Sequence, residues 1–367
     1  MTDTKALAEP LYRKISVLSP TATMLLVVSI LFSAWVGGSP ARTRLRCHSP
    51  FAAAAVTGIN VELLQFFPTV PPLVPGAESS RLLCVEGASF SAPVWVSTLQ
   101  KLAILDADGR QWLVADDGSG TDEFIPSGVW AHAMHIGPGG TSSKLAAGGY
   151  GGQMLAVSVE ADEAGSAAEL PVLAENLGSS VVLLTSLSNG RLLAGLEDGR
   201  LLCLSTTEPP ATLLTGVGLA AGGGSTLRGA CTSDDDRSLY LCLDGGVSHC
   251  TIDFDSGECS APENLALELS SAALGVAIDT ADELFVCTAE GLVVFNEAGE
   301  AVARVSTPAP VLGCCFGGIA NSNLYLAAGD TVWRLKTNAQ GVRPRSAAFM
   351  KKMDKLAAVG EYVHEGW

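Results

Sequence analysis

One phrase recurs along most of this chain and limits what it can fold into. From Leu274 it reads L-G-V-A-I-D-T-A-D-E-L-F-V-C-T-A-E-G-L-V-V-F-N, and from Leu312 L-G-C-C-F-G-G-I-A-N-S-N-L-Y-L-A-A-G-D-T-V-W-R-L. Each version has a Leu-Gly start, an apolar strand, a polar turn, a second apolar strand, a tight turn and a third strand. The central strand of the unit begins at Leu102, Leu145, Leu192, Leu239, Leu284 and Leu324, giving spacings of 43, 47, 47, 45 and 40 residues. Short strands repeating at that interval have the period of a propeller blade. A lone meander cannot bury both of its faces, whereas meanders stacked around an axis give every sheet two neighbours. The expected fold is therefore all-β: a six-bladed β-propeller of four-stranded antiparallel blades over residues 81–342.

Local chemistry agrees with that period. Polar turns precede the central strand at Ser188-Asn189-Gly190, Asp234-Asp235-Asp236 and Ala281-Asp282, and third strands follow at 201–204, 249–254, 292–295 and 332–335. Forty Gly and 18 Pro without a collagen period suit many tight turns between short elements. With 48% hydrophobic and 16% charged residues the chain has apolar surface enough for a real core. The formal net charge of −16 would repel a phosphate backbone, which excludes nucleic acid as a partner class.

The flanks leave the pattern. Met24 to Val36 is an uncharged apolar run behind Arg13 and Lys14, and Gly37-Gly38-Ser39-Pro40-Ala41 after it has the small residues of a cleavage region. Residues 1–41 are expected to be a signal peptide or an uncleaved signal anchor. That places the protein in the secretory pathway, secreted or membrane-anchored, with the membrane engaged only through this segment. Arg42, Arg44 and Arg46 in an acid-poor stretch leave an organelle transit extension open as the alternative. Residues 42–80, basic and then Pro-rich (P-T-V-P-P-L-V-P-G from Pro68), read as a linker. In the tail, 343–367, Phe349, Met350, Met353 and Leu356 recur at helical spacing and predict a short helix docked on the propeller.

Few motifs carry chemistry of their own. The ten cysteines contain no C-x-x-C pair, which excludes a zinc site of that spacing, and most sit in apolar strand runs. Cys250 and Cys259 flank T-I-D-F-D-S-G-E and would suit a disulfide in an oxidising compartment. His132 and His135 are three apart on a strand, so they face opposite sides and only His132 is a candidate for the channel. Gly148 to Gly152 lies in a blade turn with no helix after it, so a phosphate loop is not supported. Asp234 to Asp236 reads as a solvated turn. No Gly-x-Ser-x-Gly elbow is present.

At Leu312 to Leu335 the run G-C-C-F-G-G, then N-L-Y-L-A-A-G and V-W-R-L, resembles the last blade of the regucalcin/gluconolactonase family of six-bladed propellers. The blades around Arg228-Gly229-Ala230 and from Leu274 are similar to that family's preceding blades. Ser91-Ala92-Pro93-Val94-Trp95 resembles its opening Glu-Gly-Pro-Val-Trp. The resemblance implies a metal-dependent lactone hydrolase with one calcium or zinc ion in the central channel. There the cation would polarise a lactone carbonyl and a carboxylate would activate water.

Carried over position by position, the resemblance withdraws its own chemistry. The opening Glu falls on Ser91, the Asn of a Pro-Asn-Gly motif on Arg228, the Asp of a Pro-Asp-Gly motif on Leu274, and a substrate-side Asn on Val182. Glu86, five residues before Ser91, could serve as a shifted opening ligand, and Asp244, Asp279 and Glu283 are further acids near the pattern. Three functions follow. The first is a weakly active or non-catalytic propeller binding a small lactone or anionic molecule, for which the Arg228 guanidinium is suited. The others are an active lactonase or esterase with a shifted metal site at Glu86, and a protein-interaction scaffold.

Overall fold

The computed structural model describes residues 58–342 apart from connecting segments, the longest of them 159–171. The chain divides into Met1–Ala54 and Ala55–Trp367, and every described residue lies in the second unit. The expected signal segment, the Arg-rich stretch and the tail helix fall outside the described residues. Among the described residues no helix is long and apolar enough to cross a membrane.

Two strands, β1 (Asn60–Leu63) and β2 (Ser79–Cys84), precede the repeating part. The first meander is β3 (Ser91–Val96), β4 (Lys101–Leu105), β5 (Gln111–Ala115) and β6 (Thr121–Ile125). The second is β7 (Val129–His135), β8 (Lys144–Gly149), β9 (Met154–Ser158) and β10 (Val172–Ala174). The third is β11 (Val181–Ser186), β12 (Arg191–Leu196), β13 (Arg200–Ser205) and β14 (Thr212–Gly218). The fourth is β15 (Leu227–Thr232), β16 (Ser238–Leu243), β17 (Gly246–Thr251) and β18 (Glu263–Asn264). Then come β19 (Gly275–Ile278), β20 (Leu284–Thr288), β21 (Gly291–Phe295) and β22 (Ala301–Ser306), and finally β23 (Val311–Gly317), β24 (Asn323–Ala328) and β25 (Thr331–Lys336).

All pairings within these sheets are antiparallel, and the described strands form five four-stranded sheets and one five-stranded sheet. The last meander supplies only three strands. Its fourth is β2, which pairs β25 from Ser79 against Leu335 to Cys84 against Thr331. The two ends of the repeating part are thereby hydrogen-bonded into one sheet. Inner strands pack on one another in the order β3, β7, β11, β15, β19, β23 and back to β3. This is the arrangement of a propeller.

The central strands are buried almost end to end: β20 and β21 at every residue, β12 and β24 at all but the first. A strand covered by neighbouring sheets on both faces has no solvent side to alternate with, which is why these runs read as continuous apolar stretches. The polar turns before the second strand reach the left-handed region at Asp236 (φ 55°), Asp282 (φ 60°) and Asn321 (φ 55°). Asp and Asn tolerate that conformation better than other non-glycine residues. Asp235 is consumed by its own turn, its carboxylate accepting from the Ser233 hydroxyl and the Arg237 amide.

Two expectations are corrected. Not every sheet is four-stranded: β1 adds a fifth strand to β22, in register from Asn60 against Ser306 to Leu63 against Ala303. The segment 42–80 is also not simply a linker. Val61 is buried by that pairing, and Leu73 is wholly buried in the same core cluster. The carbonyl of Pro72 accepts the amides of Asn338 and Ala339, which docks Pro72 onto the chain after β25. An outer strand edge left bare is a liability, and a polar–apolar–polar strand such as Asn60–Leu63 covers it.

Candidate functional site

Five of the six inner strands break register near their start. The breaks lie between Ser91 and Val94 in β3, Val129 and Ala131 in β7, Val181 and Leu183 in β11, Leu227 and Gly229 in β15, and Val311 and Gly313 in β23. The skipped residues are Ala92–Pro93, Trp130, Val182, Arg228 and Leu312, and Leu274 stands directly before β19. A bulge re-aims its residue out of the sheet. Trp130, Val182, Leu274 and Leu312 are each half-buried and Arg228 is exposed, while the positions flanking Trp130, Val182 and Leu312 are buried.

A glycine seam brings the starts of the inner strands together. A methyl group on Gly229 would lie 2.9 Å from the Gly275 Cα, one on Gly275 would lie 3.0 Å from the Gly313 Cα, and one on Gly313 would meet Pro93 Cδ at 2.8 Å and Ala92 N at 3.1 Å. Only a residue without Cβ permits backbones this close. The residue before each glycine therefore stands at the mouth of the ring: Arg228, Leu274 and Leu312, with Ser91 beside Ala92.

The four positions carried over from the family motifs can now be placed on the strands. Ser91, Val182, Arg228 and Leu274 lie at or beside the starts of four inner strands, joined by Trp130 and Leu312. The donor set does not fit a divalent cation. Four positions that would need oxygen ligands supply one hydroxyl, two aliphatic side chains and a guanidinium. Among the described residues no cluster of three or more His, Cys, Asp or Glu side chains could hold a metal ion. Arg228 forms no hydrogen bond or ion pair among the described residues, and its charge acts on the buried Cys242 thiol.

His132 is not available to the channel. It is buried, its Nε2 donating to the Ala92 carbonyl and its Nδ1 accepting from Gln111 Nε2. Burial lowers its pKa from 6.5 to about 4, which keeps the ring neutral and consistent with one donor and one acceptor nitrogen. The carbonyl it holds belongs to a strained residue. Ala92 has φ 47° in a non-glycine residue ahead of proline, at the place where the resembling family motif has glycine. His132 acts as a strut from the second meander onto the bulge of the first.

The remaining acids lie elsewhere. Glu86 follows β2 and lines a cavity of about 200 Å³ with Asp106, Asp108, Arg110 and Trp112, none of which is on an inner strand. Asp106 is engaged there, its carboxylate accepting from the Asp108 and Arg110 amides and from Trp112 Nε1. Asp279 and Glu283 bracket the turn at the far end of β19, about 16 Å along the strand from Leu274. Burial beside Asp279 raises the Glu283 carboxyl to about 7. Asp244 sits in the β16–β17 turn with φ 52°. Cys250 and Cys259 are both free thiols, packed in one core cluster with Cys203 of the third meander.

The fold defines the class: an all-β propeller whose sheets close into a ring through β2 and β25. A family model described as the SMP-30/gluconolactonase/LRE-like region matches residues 217–330, which span β15 to β24 and include Arg228 and Leu274. No curated protein matches the sequence. Among solved structures the chain is similar to a candidate gluconolactonase, at 18% identity and a TM-score of 0.60, covering 74% of this chain and 96% of that one. It is similar to a gluconolactonase from Xanthomonas campestris, at 14% identity and a TM-score of 0.56, covering 73% and 95%. A calcium-binding protein, regucalcin, from Agrobacterium tumefaciens is similar at 14% identity and a TM-score of 0.56, covering 74% and 97%. At such identities the likeness concerns the fold.

Proposed function

We propose that this protein is a six-bladed ring of the gluconolactonase and regucalcin kind that binds a small anionic molecule at its mouth, with lactone-hydrolysing chemistry weak or lost. The observation that carries the reading is Arg228. It is exposed at the bulge of an inner strand, without a carboxylate partner among the described residues, in a position where the resembling family has a metal-ligating Asn. A guanidinium offers several fixed donors to a carboxylate and opposes a divalent cation at the same place. Trp130, Val182, Leu274 and Leu312 would flank the non-ionic part of the ligand with apolar surface. No step of hydrolysis is assigned to these residues, because none of them is a base or nucleophile placed against a reacting carbonyl.

The test is calorimetric titration of the full chain with calcium, with zinc and with a small carboxylate such as gluconate, alongside lactone hydrolysis by the wild type and Arg228→Asn. Heat is expected with the carboxylate alone, lost in Arg228→Asn, with no turnover. Heat with calcium or zinc together with wild-type turnover would replace this reading by a metal hydrolase with a shifted site. Silence towards every small ligand would leave the protein-interaction scaffold.

A further inference from the structure

Given the anion-binding reading above, on which this inference rests, the other inner-strand starts decide what kind of anion fits. The inner strands pack in the closed order β3, β7, β11, β15, β19, β23. Val182 and Leu274 therefore stand on the two strands beside that of Arg228, and Ser91 on the strand three places round in either direction, across the ring. Arg228, Leu274 and Leu312 stand on backbones in close contact, because Gly229, Gly275 and Gly313 leave no room for a Cβ between them. Among Ser91, Trp130, Val182, Arg228, Leu274 and Leu312, Arg228 alone is ionisable, and the others are all half-buried. The indole nitrogen of Trp130 is buried, so that side chain offers a ligand only carbon. The Ser91 hydroxyl is the one small polar group.

We propose that the mouth takes a monocarboxylate with an apolar body, its carboxylate on Arg228 and its body against Trp130, Val182 and Leu274, in preference to a sugar acid. One guanidinium answers one carboxylate. A body strung with hydroxyls, such as that of gluconate, turns most of them towards carbon, and each hydroxyl that gives up water without a partner weakens binding. An aromatic or aliphatic body strands no such group and removes its own carbon from water against theirs. Ser91, across the ring from Arg228, admits a single hydroxyl or carbonyl at the far end of the ligand. Gluconate binds through the same guanidinium, more weakly.

The test is calorimetric titration of the full chain with phenylpropionate, with gluconate and with phenylpropanol, the neutral alcohol of the same body. Phenylpropionate is expected to bind about tenfold more tightly than gluconate or the alcohol. Trp130→Ala should narrow the gap between the two acids several-fold by weakening phenylpropionate. Val182→Asn, close in volume and able to hold a hydroxyl, should narrow it by strengthening gluconate, and it keeps the test open if the tryptophan variant folds poorly. Gluconate binding as tightly as phenylpropionate overturns this proposal and leaves the anion site standing. Binding of neither acid, or of the alcohol as tightly as the acid, overturns the anion site and this inference with it. An unchanged gap in the folded variants places the ligand body elsewhere and overturns the proposal too.

Discussion

The two places where the ring brings distant residues together treat charge in opposite ways. At the seam between the last sheet and the first, the cation and the carboxylate answer one another. Trp95 stacks on Tyr325 with centroids 5.2 Å apart and planes 10° from parallel. The buried Tyr325 hydroxyl donates to the Asp116 carboxylate, and Arg334 Nη1 donates to the Asp116 carbonyl at 2.7 Å while lying 3.3 Å from its carboxylate. At the mouth the opposite holds: Arg228 is exposed and meets no carboxylate among the described residues. Two half-buried charges held together serve closure, because each offsets part of the other's desolvation. A charge kept solvated and unanswered adds nothing to stability, and its use lies in what it can bind.

Removing the aromatic half of the seam gives the largest effect expected. Trp95→Ala empties the space against Tyr325 and should cost about 3–5 kcal/mol, read by denaturant melts. An unchanged midpoint would mean that the β2–β25 pairing alone closes the ring. Acid acts next, through His132. The unfolded imidazole takes up its proton near 6.5 and the folded one only near about 4. Between those values the unfolded chain binds more protons, so stability falls as pH drops from 6.5 to 4, by about 3 kcal/mol in all. His132→Gln should flatten that slope in urea melts across the range, and an equally steep slope in the variant would place the acid sensitivity elsewhere.

Asp116→Asn comes third. It keeps an acceptor for Tyr325 but loses the charge facing Arg334, and about 1–2 kcal/mol is expected in the same melts. Arg228→Ala comes last on this scale, leaving the midpoint within about 0.5 kcal/mol while removing carboxylate binding. A large loss of stability in Arg228→Ala would erase the contrast between seam and mouth. It would make Arg228 a structural residue.

How far the residues themselves announced these features depends on whether the signal was local. The central strands starting at Leu102, Leu145, Leu192, Leu239, Leu284 and Leu324 were legible because one sheet repeats in each. Ser91, Val182, Arg228 and Leu274 came from motif resemblance and do lie at the inner-strand starts. Leu312 shared the same residue–glycine signal as Arg228 and Leu274 and could have been found by it. Trp130 carried no such mark, because a bulge is created by pairing with the next strand. His132 was misplaced because strand periodicity assigns a face but not a partner, and its partner Ala92 lies 40 residues away. Glu86 was placed near the axis by sequence proximity alone, and its loop instead meets the β4–β5 turn.

By itself the sequence determined the period, the apolar strands, the turn residues and the residue types Ser91, Val182, Arg228 and Leu274 at the inner-strand starts. These are properties of residue type and spacing, which survive in any arrangement of the chain. The tertiary structure alone decided that β2 closes the last sheet, that β1 joins β22, and that Asp116 meets a tyrosine 209 residues away. It also decided that Arg228 stands unanswered at the mouth. Such contacts are set by which surfaces the ring brings together, and nothing in the neighbouring residues specifies them.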